Sequence, residues 1–234
     1  MIIINHRIEC LNNKKDLTIV DLKSINYYHL LMDILIGTRN EYKKTEIVWF
    51  LGDNPKINIH FLDELNINIK IDEDENSLIK NAEKKAGEIS KLTDYYVLAS
   101  DGGVDIPGLG NKWDILKNQR TVGESNTDLV KAKILLNLMK KLKGDEREAT
   151  YYLALALAKN GKVIWSKTEI TDKGFIAEDL IDKDIPEYRW MGHIWYYPKH
   201  KKVFNKLNKK ELEDVRKQGK NLQKNLEIII KKLN

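Results

Sequence analysis

The sequence predicts an α/β fold on a central mixed sheet with flanking helices, and three observations carry that reading. Between residues 34 and 150, strand-like apolar runs alternate with helix-like stretches, the order that builds parallel strands. One run, "YYVLAS" (95–100), is apolar without alternation, as a strand covered on both faces is. A β-rich stretch follows, in which "TYYLALALAKNGKVIWSKTEI" (150–170) sets Asn160-Gly161 between two apolar runs. That dipeptide is the strongest short hairpin signal, and a hairpin adds antiparallel strands to the parallel ones.

The elements follow in order. "MIIINHRIECLNNKKDLTIVDLKS" reads as two short strands around an Asn-Asn-Lys-Lys turn, giving an N-terminal extension at 1–33 ahead of a main domain at 34–234. "NYYHLLMD" leads into the strand "ILIG", and "GTRNEYKKTE" (37–46) opens a helix. "INIHFLDELNINIKID" supplies another strand and a connection, and "SLIKNAEKKAGEISKL" has helical spacing, with Leu78, Ala82, Ala86 and Ile89 on one side. "YYVLAS" is expected to stop at "DGG", leaving Asp101 at its carboxyl edge. Residues 126–143 form an amphipathic helix capped by Asn126 or Thr127. "GFIAEDL" and "HIWYYP" add strands, and 209–233 is a helix with a stripe through Leu222, Leu226, Ile229 and Leu233.

Composition narrows the function classes. The 234 residues are 42% hydrophobic and 32% charged, as in an ordinary soluble protein. The single cysteine, Cys10, excludes an internal disulfide framework and suits a reducing, cytoplasmic setting. No apolar run is long enough to span a membrane. The net charge of +5 is mild, and the lysines of the last third alternate with Glu and Asp. That is a solvated face, which argues against nucleic acid as the partner and leaves room for a small anionic ligand.

Three segments can carry chemistry. In "GTRNEYKKTE", Thr38 and Asn40 can donate to phosphate oxygens at a helix start, and Lys43 adds a charge one turn on. The same residues also make an ordinary cap and surface helix. In "IDEDENSLIKNAEKKA", four acids (72–75) precede a helix bearing Asn81 and Lys85. They favour the helix dipole, and one of them can bind a hard cation through oxygen. In "VLASDGGVDIPGLG", Asp101 and two glycines stand at the end of a buried strand, where open α/β sheets bind ligands, although Asp-Gly turns are common too.

Taken together, the segments resemble one family. Thr38-x-Asn40-x-x-Lys43-x-x-Glu46 resembles the N-terminal signature of the inosine triphosphate pyrophosphatases, "SLIKNAEKKA" their Thr-Phe-x-Glu-Asn-Ala-x-x-Lys-Ala helix, and "LASDGGVDIPGLG" their Ala-Asp-Asp-Ser-Gly loop. Arg120, "GESNTD" (123–128), Arg147-Glu148-Ala149 and Gly174-x-Ile176 sit in the family's order over residues 34–234. The resemblance implies an elongated fold with two lobes around a nucleotide cleft, a homodimer, and Mg²⁺-dependent hydrolysis of noncanonical purine triphosphates (dITP, ITP, XTP) to monophosphate and pyrophosphate. It implies that Thr38, Arg39, Asn40, Lys43 and Lys85 cradle the triphosphate, with Asn81, Ser100, Gly102 and Trp190 as further substrate contacts. Asp72 or Glu73 would bind the metal, and Asp101 would hold it or act as the base that activates water.

The chain departs from the pattern in two places. Ser100-Asp101-Gly102 keeps one of the family's two acids, and the purine-holding Phe-Gly-Tyr-Asp-Pro loop corresponds to about "RWMGHIWYYP". Trp190, Trp195 or Tyr196 can stack on a base there, and Arg189, His193, Lys217 or Gln218 can bond to it. Half-buried strands hold such aromatics in any case. The phosphate-binding half is retained and the base-reading half rewritten, which removes much of the discrimination between bases. A second expectation follows: a nucleotide sensor that turns over poorly and signals to a protein partner through residues 1–33. A third is a dimerisation module without chemistry.

Overall fold

A computed structural model of the chain describes residues 31–180 and 190–233, together with the backbone of three short strands before them. Those strands, β1 (Ile2–Ile4), β2 (Arg7–Cys10) and β3 (Thr18–Asp21), form an antiparallel sheet in the order β1-β2-β3. The sequence reading expects two strands here, and the turn at 12–15 between them lies outside the described residues.

The main sheet has seven strands: β4 (Met32–Ile36), β5 (Ile57–Phe61), β6 (Tyr96–Asp105), β7 (Glu148–Lys159), β8 (Lys162–Ile176), β9 (Trp195–Tyr197) and β10 (Lys202–Val203), ordered β10-β9-β8-β7-β6-β4-β5. β4 is parallel to both β5 and β6, and the remaining pairs are antiparallel. The helices are α1 (Glu41–Leu51), α2 (Leu78–Ser90), the single turn α3 (Asn118–Thr121), α4 (Asp128–Leu138), α5 (Lys209–Arg216) and α6 (Lys220–Leu233).

β7 shows how the sequence assigns the faces. In "LALALA" (153–158) every leucine points one way and every alanine the other. Leu153, Leu155 and Leu157 pack with Leu98, Phe50 of α1, and Leu222 and Leu226 of α6. Ala154, Ala156 and Ala158 pack with Ala82 and Ala86 of α2. Small side chains let α2 lie close to the sheet, and the leucines fill the wider gap beneath α1 and α6. Each fully buried leucine contributes roughly 1.5–3 kcal/mol. A second lobe gathers around α4, β9 and Trp190, with Ile106, Leu135, Met139 and Ile194 at its centre. Buried Arg147 binds it together by donating to the carbonyls of Met139, Leu142, Ile176 and Ala177.

Several predicted elements form as expected. Asn160 and Gly161, at φ 51° and 75°, turn β7 into β8, and the predicted side of α2 is buried. Others differ. β6 does not stop at "DGG" but runs on to Asp105, so Asp101 lies within the strand. The helix predicted over 126–143 ends at Leu138, and Thr127 is its cap. "GFIAEDL" is no separate strand, because its first residues finish β8. "HIWYYP" shortens to β9 after a 3₁₀ turn at Trp190–His193. The C-terminal helix breaks at a 3₁₀ turn, Lys217–Gly219, where a Cβ on Gly219 would press on the Phe50 ring at 3.2 Å.

Candidate active site

The cleft begins where β4 runs out. β4 accompanies β6 only as far as Leu98, opposite Ile36, and the chain then turns through Gly37 into α1. Asn40 caps α1 by accepting from the Lys43 amide at 3.1 Å, and its own amide donates to Thr38 Oγ1 at 3.2 Å. One turn into the helix, Lys43 Nζ stands 3.5 Å from Asp101 Oδ1.

Asp101 is the meeting point. Its Oδ2 accepts from Asn81 Nδ2 at 3.0 Å, and its Oδ1 accepts from the Gly102 amide at 3.0 Å. Lys85 Nζ lies 3.6 Å from Oδ1 and 2.7 Å from Glu73 Oε1. The acidic loop is held over the site from two sides. Asn81 Oδ1 takes the Glu75 amide at 3.0 Å, and Arg120 Nη2 donates to the Glu73 carbonyl at 3.3 Å. Burial, with Lys43 as a like-charged neighbour, lowers the Lys85 ammonium pKa. Burial also works against the Glu73 carboxylate, but Lys43 and Lys85 outweigh it and its pKa is lowered. Two lysines and two carboxylates are thus set against each other around one space.

That space is a cavity of about 250 Å³. Asn40, Lys43, Glu73 and Asp101 line one end, and Trp190, Met191, Trp195 and Phe204 line the other. Between them lie Gly102 and Gly103, where a side chain would collide with the Tyr151 hydroxyl and the Ile115 carbonyl respectively. Tyr151 donates to Glu46 Oε2 at 3.3 Å. Burial pushes up to about 7 both the carboxyl of Asp172, in the cavity wall, and that of Glu46, outside it.

The structure brings Asn40, Lys43, Glu73, Asn81, Lys85, Asp101, Gly102 and Trp190 together at or around this cavity. It does not bring in the other candidates. Arg39 turns away and donates to the Ile67 and Ile69 carbonyls, with Asp63 3.5 Å from its Nε. Thr38 serves the α1 cap. Asp72 is exposed and off the cavity wall, so Glu73 is the acid of that pair in the site. Ser100 falls on the opposite face of β6 from Asp101, its hydroxyl buried with no hydrogen-bond partner. His193 is buried off the cavity wall, Lys217 pairs with Asp214 at 3.0 Å, and Gln218 reaches Asp172 at 3.3 Å. Arg189 lies outside the described residues. Sequence reasoning missed Asp172 and Tyr151, which sit in strands without any motif.

The donor set suits a hard divalent ion. Glu73 and Asp101 converge on Lys85 from two elements, and Mg²⁺ characteristically takes one or two carboxylates and fills its shell with phosphates and water. Among the described residues no group of three or more His, Cys, Asp or Glu gathers as a closed all-protein site.

A mixed sheet with a cationic helix start at one end of a cleft and aromatic walls at the other defines a nucleotide-binding α/β protein. Comparison makes the assignment narrower. The chain belongs to the Ham1 family, whose model matches residues 34–228, as its resemblance to the inosine triphosphate pyrophosphatases implied. It is 29% identical over 207 residues to a dITP/XTP pyrophosphatase of Clostridium perfringens, covering 84% of this chain and 98% of that protein. Over 127 residues it is 33% identical to the Clostridium tetani dITP/XTP pyrophosphatase, covering 53% of this chain and 61% of the relative. In fold it is similar to a HAM1 protein from Coxiella burnetii, with TM-score 0.68, 24% identity, and 84% and 98% of the two chains covered. The Staphylococcus aureus Ham1 protein gives TM-score 0.65 at 22% identity, with 83% and 98% covered.

Proposed function

We propose that the protein hydrolyses noncanonical purine nucleoside triphosphates such as dITP, ITP and XTP to monophosphate and pyrophosphate, with Mg²⁺ as cofactor. The observation that carries this is the convergence of Lys43, Lys85, Glu73 and Asp101 on one cavity whose far end is aromatic. The names of its pyrophosphatase relatives support the same reaction.

Lys43, Lys85 and the α1 start receive the phosphates, exchanging carboxylate partners for phosphate oxygens. Asn81 and the Gly102 amide hold the Asp101 carboxylate still, one on each oxygen. Asp101 is placed to hold the cation with Glu73, or to take the proton of the attacking water. Water oxygen bonds to the α-phosphorus as the bond to the β-phosphate bridge breaks, and pyrophosphate leaves. When bound, Mg²⁺ neutralises charge on the phosphate oxygens.

The family match beginning at residue 34 supports the division into an extension at 1–33 and a catalytic domain at 34–234. We propose in addition a homodimer and a cytoplasmic setting; no helix among the described residues is long and apolar enough to cross a membrane. A second reading, a sensor that binds nucleotide, turns it over poorly and signals through residues 1–33, is favoured by the three-stranded sheet placed before the matched region. One experiment separates the two. A panel of dITP, XTP and ordinary triphosphates with Mg²⁺ is assayed for affinity and for pyrophosphate. Release from dITP or XTP supports the hydrolase, tight binding with negligible release supports the sensor, and neither result leaves both readings overturned.

A further inference from the structure

We propose that Asp172 reads the base: its carboxylate accepts the ring N1–H of a 6-oxopurine, and adenine, which presents a bare nitrogen there, is turned away. The proposal rests on the hydrolase reading for where the phosphates lie.

The first support is how the strand aims this residue. Tyr151 pairs with Asp172 and Tyr152 with Ile170, so Thr171 is an extra residue in β8. Without that bulge Thr171 would stand beside Tyr151 and the carboxyl would fall on the other face of the sheet. The insertion puts an acid where a buried strand would otherwise carry a small side chain. Next comes its setting. Asp172 lines the same cavity as Trp190, Met191, Trp195 and Phe204, flat and apolar surfaces suited to a planar base. The Tyr197 hydroxyl on Oδ2 and Gln218 Nε2 at 3.3 Å on Oδ1 orient it, and the Lys173 amide and Trp195 indole also bond toward it. A base N–H would displace the longest of these partners, Gln218.

Asp101 and Asp172 line the same cavity, their backbones about 14 Å apart in the plane of the sheet, by three residues along β6 and two ladders across through Tyr151.

Asp172 is also raised by burial to about 7. Facing its surroundings are Tyr42 and Glu46 from α1, Tyr151 from β7, Tyr197 from β9 and Arg216 from α5. A protonated carboxyl can donate to adenine N1 and accept from its amino group, whereas the carboxylate cannot donate. Preference for ITP over ATP therefore rises as the pH passes through about 7.

The test measures KM and kcat for ITP, 1-methylinosine triphosphate and ATP with the full chain, Asp172→Ala and Asp172→Asn. In the natural protein ITP should exceed both others by ~10–100-fold in kcat/KM, the worth of a hydrogen bond to a charged group, and through KM. Asp172→Ala should remove the penalty for N1-methylation. Asp172→Asn, which can both donate and accept, should raise ATP relative to ITP. Equal KM for ITP and its 1-methyl analogue in the natural protein overturns the proposal without any variant having to fold. An unchanged ITP-to-ATP ratio in both variants overturns it as well. If no nucleotide yields pyrophosphate, the hydrolase reading fails by itself. The same ratios are then read as Kd by tryptophan quenching, where inequality supports the role of Asp172 and equality overturns it.

Discussion

At the α1–α2 end of the cleft, each carboxyl faces a cation. Glu73 meets Lys85 at 2.7 Å, and Asp101 lies 3.5 and 3.6 Å from Lys43 and Lys85. At the aromatic end Asp172, in the cavity wall, and Glu46, outside it, have phenols for partners, Tyr197 and Tyr151, and burial pushes both carboxyls up to about 7. The first end is a balanced set of charges; on the proposed function an incoming polyphosphate rearranges it, its oxygens replacing carboxylates as partners of the lysines. The second end keeps Asp172 in surroundings that penalise its charge, which on the proposal above makes it sensitive to what a bound base offers. One cleft thus combines a site built for charge with a site built for hydrogen-bond pattern.

The largest effect belongs to the charged end. Asp101→Asn keeps the shape and the Asn81 contact but removes the negative charge; pyrophosphate release should fall by ~10³-fold in kcat while nucleotide affinity, read by calorimetry, is kept. Lys85→Met should cost ~10²-fold in kcat/KM, as loss of a fixed cation at a transferring phosphate does. One position earlier, Lys84→Ala breaks only an exposed pair with Asp74 and should stay within about twofold. Equal losses in the two lysine variants would end the distinction between cleft and surface.

At the aromatic end the sharper readout is stability. Glu46 and Asp172 have folded-state pKa values near 7 against unfolded values near 4. Between those limits the native state holds more protons than the unfolded chain, so their contribution to stability falls as pH rises from about 4 to about 7 and is level above. Tm followed against pH should decline across that window, and Glu46→Gln or Asp172→Asn should each flatten the slope, by on the order of 1 kcal/mol or more. Glu73, shifted the other way, works in the opposite sense, so the difference between variant and natural protein is the quantity to compare. The smallest effect is expected at Ser100→Ala. Its hydroxyl is buried, unpartnered and off the cavity wall, so activity should hold within about twofold and Tm should not fall.

Much of the frame was legible in the residues. The Leu-Ala alternation of β7, the Asn160-Gly161 turn and the buried side of α2 follow from periods of two and 3.6 and from one dipeptide. Asn40, Lys43 and Lys85 were legible through their match to the family's motifs, since helix spacing alone fits a cap and surface charges as well. What escaped depended on contacts between distant segments. "DGG" reads as a stop because glycine usually marks a turn, yet here Gly102 and Gly103 make room for Tyr151 and the Ile115 carbonyl, and the strand continues. Arg39 faces away from the cleft because the carbonyls of residues 67 and 69, across the structure, claim its guanidinium. Thr171 carries no mark of a bulge, since register is settled by the partner strand. At the break in the C-terminal helix, Gly219 packs against Phe50, 169 positions earlier in the chain, a contact that no local pattern announces.

β4 gives out at Ile36, and further along its neighbour Asn118 stands in for a missing strand, its amide serving both the N–H and the carbonyl of Val104. Between Leu98 and Val104, the margin of β6 that β4 would have covered is turned toward the cleft. A bare margin of this kind invites a stray strand from another molecule to add itself. Lys43 and Asp101 stand at that margin, and ionised side chains discourage such an addition. Substitutions that strip those charges are therefore expected to promote self-association as well as slow the chemistry.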